Sequence, residues 1–227
     1  VGLDNVDTAA ATSRGILVCN APESNVVSAA EHSVGLLLAL ARNLPQAHAA
    51  LTNGRWERGL WAGTELLHKT VGIVGLGRVG RLVAQRLAGF DVRLLAYDPF
   101  VSADSARAIN VEMVELDELL SHSDFVTVHL PKNAQTIGLF NAETFAKFKP
   151  GARLVNAARG GVVVETDLEA ALKKGQIAGA ALDVFDTEPK SKSPLFGRPE
   201  VVVTPHLGAS TYEAQNRAGV TIAEQVA

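Results

Sequence analysis

The chain alternates short apolar runs with stretches of helical spacing. An apolar run at 71–74 enters a glycine turn, and the turn opens a stretch with Val79, Leu82, Val83 and Leu87 at helical intervals. The same alternation continues to the end. It predicts strands at 71–75, 93–97, 124–128, 152–156, 178–182 and 201–203. It predicts helices at 78–89, 116–121, 141–147, 166–174 and 210–226. Two capping boxes, Thr166 with Glu169 and Ser210 with Glu213, mark helix starts. The strand runs are apolar throughout rather than alternating, as in a parallel sheet covered on both faces. The fold class that follows is α/β, a doubly wound parallel sheet of the Rossmann type.

Before residue 70 the pattern changes. The run at 16–19 reads as a short buried strand, with Cys19 as core. Residues 29–42 read as a helix that is apolar on most faces and ends before Pro45. A helix that apolar is expected against the protein or a partner subunit, which predicts a homodimer. Residues 45–69 are more polar, with a second helix and an aromatic loop holding Trp56 and Trp61.

The glycine turn carries the first chemistry. Gly75, Gly77 and Gly80 stand in G-x-G-x-x-G spacing between a strand and a helix, and Asp98 ends the next strand. Gly75 permits the tight turn, Gly77 lets the backbone approach a pyrophosphate, and Gly80 lets helix and strand lie close. The helix N-terminus offers free N–H groups to phosphate oxygens. Asp98 is placed to accept from the ribose hydroxyls and to repel a 2′-phosphate, so the expected cofactor is NAD rather than NADP. Arg78, within the turn, is a candidate for the pyrophosphate, and Val79 flanks it.

Composition narrows the partners. The chain has 227 residues, 47% of them apolar, and a net charge of −3, which argues against nucleic acid and anionic membrane surfaces. No apolar run is long enough to span a bilayer. A single cysteine precludes an internal disulfide and suggests the cytoplasm. His32, His48, His68 and His122 show no ligand spacing and read as structural or surface groups; no metal site is expected. The chain opens without Met and ends within a helical pattern, so a piece of a longer protein is expected.

In a doubly wound sheet, ligands sit beyond the carboxyl ends of the strands. Those ends carry His129, then the run from Asn156 through Ala157 to Arg159 and Gly160, then Asp183 followed by Glu188, then His206. Polar and charged groups therefore collect at one rim.

These segments, together with GLDNVD from Gly2, SAAEH from Ser28, WERGLWAGTEL from Trp56 and TPHLGAST from Thr204, resemble the D-isomer-specific 2-hydroxyacid dehydrogenases. The resemblance covers essentially the whole chain. It implies catalysis by Arg159, Glu188 and His206. Arg159 would clamp the substrate carboxylate as a bidentate fork. His206 would move a proton to or from the substrate oxygen, and Glu188 would fix its tautomer and stabilise the imidazolium. Asp183 would face the nicotinamide, with His129 and Ala157 as further cofactor contacts. The backbone N–H groups of Val1 and Gly2 would give a second substrate contact, and the segment around Trp56 and Arg58 would lie near a subunit interface.

The implied division is a remnant of the substrate-binding domain at 1–22 and an NAD-binding domain at 23–210. The latter includes a dimerisation insert at 25–69. A helix returning to the substrate domain starts at 211–227. Within the family, the resemblance points to interconversion of D-3-phosphoglycerate and 3-phosphohydroxypyruvate in serine biosynthesis. Reduction of glyoxylate, hydroxypyruvate or a D-lactate-type substrate is the nearest alternative, and an NAD-sensing corepressor-like module is a further one.

Two positions depart from the pattern. Val164 stands where an acid usually precedes the helix, and Asp91 stands where glycine usually follows Phe90. The first is expected to weaken the helix start. The second is expected to enter the left-handed region at a cost.

Overall fold

A computed structural model describes every residue except Val1 and Asp4. Among the described residues seven strands form one sheet. In chain order these are β1 (Thr70–Val74), β2 (Arg93–Tyr97), β3 (Glu112–Met113), β4 (Phe125–Val128), β5 (Ala152–Asn156), β6 (Ile177–Leu182) and β7 (Val201–Val203). Their spatial order is β3-β2-β1-β4-β5-β6-β7, and each neighbouring pair is parallel. The chain reverses its direction of travel between β1 and β4, which opens a crevice at their carboxyl ends.

The helices are α1 (Thr8–Ser13), α2 (Val26–Arg42), α3 (Leu44–Thr52), α4 (Arg78–Leu87), α5 (Ala103–Arg107), α6 (Leu116–His122), α7 (Ala142–Ala146), α8 (Glu165–Lys173) and α9 (Tyr212–Val226). They cover the sheet on both faces. One face carries Leu119, Leu120, Phe140, Phe145 and Leu168 against Val126 and Leu154. The other carries Leu36, Leu37, Leu40, Val83 and Leu87 against Ile73 and Val155. Two-sided burial is why the strands need apolar residues at successive positions rather than every second one.

Several expectations change. Residues 16–19 form no strand; Ile16 and Leu17 are 58% and 81% exposed, and Cys19 is only half-buried. An apolar run becomes a strand only where it finds a strand to pair with, and among the described residues none pairs with this one. The box at Thr166 is not used: α8 starts one residue early, behind Val164, which offers no side-chain cap. For α9 the cap is Thr211, whose hydroxyl accepts from the Ala214 amide at 3.2 Å, not Ser210. The last correction is to the dimer argument. The buried face of α2 is Ser28, Ala30, Ser33, Leu36, Leu37, Leu40 and Ala41, and it lies on α4 and on β5, β6 and β7 of its own chain. Its apolarity is satisfied without a partner. Finally, α1, α5 and the two-residue edge strand β3 have too little periodicity to be seen in the sequence.

Asp91 does sit in the left-handed region, at φ 53.

Candidate active site

The glycine turn is built as its spacing requires. Gly75 has φ 97, and a Cβ there would fall 2.7 Å from the His129 carbonyl oxygen. A Cβ on Gly80 would fall 2.1 Å from the Gly75 oxygen, so α4 can lie on the turn only through glycine. Beside Gly77 there is open space instead. Gly77 precedes α4 in an extended conformation with no side chain over the helix end, so the first N–H groups of α4 face that space. This cradle fits a dinucleotide pyrophosphate.

A cleft of about 450 Å³ opens there. Gly2, Arg78, Val79, His129, Ala157 and Arg159 all line it, so cofactor and substrate candidates from distant parts of the chain meet in one place. The contact expected of Val1 lies outside the described residues. Arg78 is exposed and pairs with Glu23 across the cleft mouth at 3.2 Å. Asp98 opens onto a separate hollow lined also by Tyr97, Val101, Met113, Glu115 and Glu118.

His129 ends β4 and its Nε2 is 3.0 Å from the Thr127 hydroxyl. Burial lowers its pKa from 6.5 to about 4, so the ring at the cleft wall is neutral at physiological pH.

Arg159 stands on a turn shaped by buried Asn156. The Asn156 amide donates to the Arg159 carbonyl at 3.1 Å, and its oxygen accepts from the Ala158 amide at 3.1 Å. Arg159 itself donates to the Ala158 carbonyl at 2.7 Å. The turn is seated on the chain beyond β6: a Cβ on Gly160 would stand 1.5 Å from the Phe185 oxygen.

The structure brings Glu188 and His206 together. His206 Nδ1 is 2.5 Å from Glu188 Oε2, while Glu188 Oε1 accepts from the Phe185 amide at 2.8 Å. A carboxylate only accepts, so the proton is on Nδ1 and Nε2 is left for another partner. The ring is 46% exposed and its backbone is left-handed, at φ 54. An imidazole oriented by a carboxylate and half-exposed beyond the end of β7 can give and take a proton.

Asp183 differs from the expectation of an open cofactor contact. Its side chain is fully enclosed, at 0% exposure. Oδ1 accepts from the Thr204 hydroxyl at 2.6 Å and the Leu207 amide at 2.7 Å, and Oδ2 from the Gly208 amide at 2.8 Å. Burial would raise its pKa, but the hydrogen bonds from His32, Thr204 and Leu207 outweigh this and hold the carboxyl below its usual value. His32 belongs to this network, although its place in the sequence gave no sign of a partner. Among the described residues, no group of three or more His, Cys, Asp or Glu is placed to hold a metal ion. No described helix is long and apolar enough to cross a membrane.

The family model described as "D-isomer specific 2-hydroxyacid dehydrogenase, NAD binding domain" matches residues 34–208. The chain belongs to that family. A relative named D-3-phosphoglycerate dehydrogenase from Mycobacterium tuberculosis is 56% identical over all of this chain and 43% of its own length. The chain therefore spans less than half of the curated relatives it matches. Among solved structures, a glyoxylate reductase from Paecilomyes thermophila superposes with a TM-score of 0.91 at 31% identity, over 100% of this chain and 69% of the other. An NAD-dependent formate dehydrogenase from Staphylococcus aureus, in complex with NAD, gives 0.89 at 39% identity, over 100% and 69%. The neighbours keep this 2-hydroxyacid dehydrogenase architecture while their names give different substrates. The cradle at Gly75–Gly80 and the acid at 98 fit the NAD-binding domain that the family name describes.

Proposed function

We propose that this chain is the NAD-binding and catalytic part of an enzyme that interconverts D-3-phosphoglycerate and 3-phosphohydroxypyruvate. The reaction class is carried by one observation, the 2.5 Å contact between His206 Nδ1 and Glu188, beyond the carboxyl ends of the same parallel sheet as the glycine cradle and Arg159. The substrate is supported by the relatives' shared name at up to 56% identity across the whole chain.

NAD, when bound, supplies or accepts the hydride. Arg159 holds the substrate carboxylate with its planar fork. In reduction, His206 gives the proton on Nε2 to the carbonyl oxygen; in oxidation it takes the hydroxyl proton. Glu188 keeps Nδ1 protonated and stabilises the imidazolium in between. Gly2 contributes its backbone N–H to the substrate, and Asp98 holds the ribose hydroxyls. Asp183 serves the nicotinamide end from behind, through the loop it anchors. Residues 1–22 belong to a substrate-binding domain, to which α9 returns.

The working unit on this reading is a cytoplasmic homodimer. Its contact surface is the insert at 44–61 rather than α2, since Leu44, Leu51, Trp56 and Leu60 are 55%, 55%, 81% and 70% exposed there. Sedimentation as a monomer at micromolar concentration would remove the dimer.

NADH oxidation with phosphohydroxypyruvate, beside hydroxypyruvate and glyoxylate, tests the activity. Faster turnover of the phosphorylated compound supports it. Preference for glyoxylate or hydroxypyruvate would favour the alternative raised by the structural likeness to a glyoxylate reductase.

A further inference from the structure

The loop that carries His206 is held from behind by α2. Ser28 and His32 lie one turn apart on that helix and both reach the loop. The Ser28 hydroxyl donates to the Gly208 carbonyl at 2.7 Å in a buried contact. His32 Nε2 stands 3.1 Å from Thr204 Oγ1 and 3.1 Å from Asp183 Oδ1. The Thr204 hydroxyl spends its own hydrogen on Asp183. A carboxylate has none to give, so Nε2 of His32 is the donor in both contacts. The proton on His32 is thereby placed.

Asp183 passes this hold onward. Its two oxygens take the amides of Leu207 and Gly208, and its carbonyl takes the amide of His206 at 2.8 Å. The one residue between Thr204 and Leu207 that bears chemistry is His206, in a backbone region that residues with a Cβ rarely adopt. Gly208 closes the arrangement, since a Cβ there would meet Asp183 Oδ2 at 3.3 Å and Ala29 Cα at 4.0 Å.

We infer that Ser28 and His32 are positioning residues for His206: through Asp183, Thr204 and Gly208 they fix the loop that aims its imidazole. The inference rests on the proposed role of His206 as proton donor. Neither residue lines the cleft, so their loss should act on turnover rather than on binding.

The test compares H32A, H32Q and S28A with wild type in the intact enzyme, using phosphohydroxypyruvate and NADH. A glutamine amide can donate from the position of Nε2. In H32A, Asp183 keeps three donors, so the fold should persist, and a thermal melt checks this. We expect H32A to lower kcat about tenfold or more, with KM and the NADH dissociation constant within about threefold. H32Q should recover most of that loss, and S28A should lower kcat by about threefold. In ¹⁵N-histidine spectra of the same proteins, the His206 Nδ1–H signal should broaden in H32A and return in H32Q. Unchanged kcat in both H32A and S28A, or lower stability with unchanged kcat, would overturn the inference. No turnover by wild type would instead sink the reading of the active site, and the His206 ring signals would then decide the clamp alone.

Discussion

The Asp98 carboxylate accepts a hydrogen bond from the Leu76 amide at 2.8 Å, which ties the end of β2 to the middle of the glycine turn. Its other oxygen accepts from the Phe100 amide at 2.9 Å. The group assigned above to cofactor selection is thus held by the same turn proposed to cradle the phosphates. Asp98→Ala should weaken NADH binding about tenfold, because it loses the ribose acceptor and loosens the turn together. It should also narrow the preference for NADH over NADPH, since the charge that repels a 2′-phosphate is gone. Fluorescence titration with both nucleotides checks this, and unchanged discrimination would end the assignment.

His206→Ala should lower turnover by about 100-fold or more while leaving NADH binding intact. Glu188→Gln should cost less, because the amide oxygen can still accept from Nδ1 but no longer stabilises the imidazolium. Turnover distinguishes the two: Glu188→Gln should keep measurable kcat where His206→Ala falls about 100-fold or more, with NADH affinity unchanged in both. Equal kinetics for wild type and His206→Ala would take His206 out of the reaction.

His129 should couple stability to pH. Its pKa is about 4 in the folded chain, against 6.5 when exposed. Between those values the unfolded chain binds more protons, so the folded state weakens as pH falls from 6.5 toward 4 and is unaffected above. The loss is on the order of 2 kcal/mol, allowing for the part of the ring that the cleft wets. Urea midpoints across this window measure it. His129→Gln should flatten that portion of the curve, and identical slopes in the two proteins would show that His129 titrates freely.

Gly160→Ala should be severe. Its new Cβ would lie 1.5 Å from the Phe185 oxygen, a backbone atom that cannot swing aside. The turn bearing Arg159 would have to lift from the chain leading to Glu188. We expect a stability loss of about 3 kcal/mol and a larger fall in kcat/KM than in NADH affinity. A variant with wild-type melting and turnover would show that this seat is dispensable.

The parallel sheet is legible in the sequence because two-sided burial demands unbroken apolar runs, and β2, β5 and β7 fall at the predicted residues. The pairing of Glu188 with His206 is legible only through the family motifs, since they stand 18 positions apart on two different loops with β7 between them. Other features need the third dimension. Residues 16–19 are as apolar as a strand but pair with no strand among the described residues. The apolarity of α2 signals burial without saying whether the covering surface is this chain or another. Ser28 and His32 carry helical spacing, yet the loop they hold lies more than 170 residues away in sequence.

The enclosure of Asp183 bears on how this site can change over time. All its hydrogen-bonding neighbours give hydrogens: a hydroxyl, an imidazole and two amides. Asparagine has the same shape, but in either orientation its amide group would point hydrogens at a neighbour that also donates. A replacement that is nearly volume-neutral would therefore break the mooring of the loop that carries His206. Position 183 tolerates less drift than the exposed Glu188 and His206 it supports, although it is the one of the three hidden from solvent.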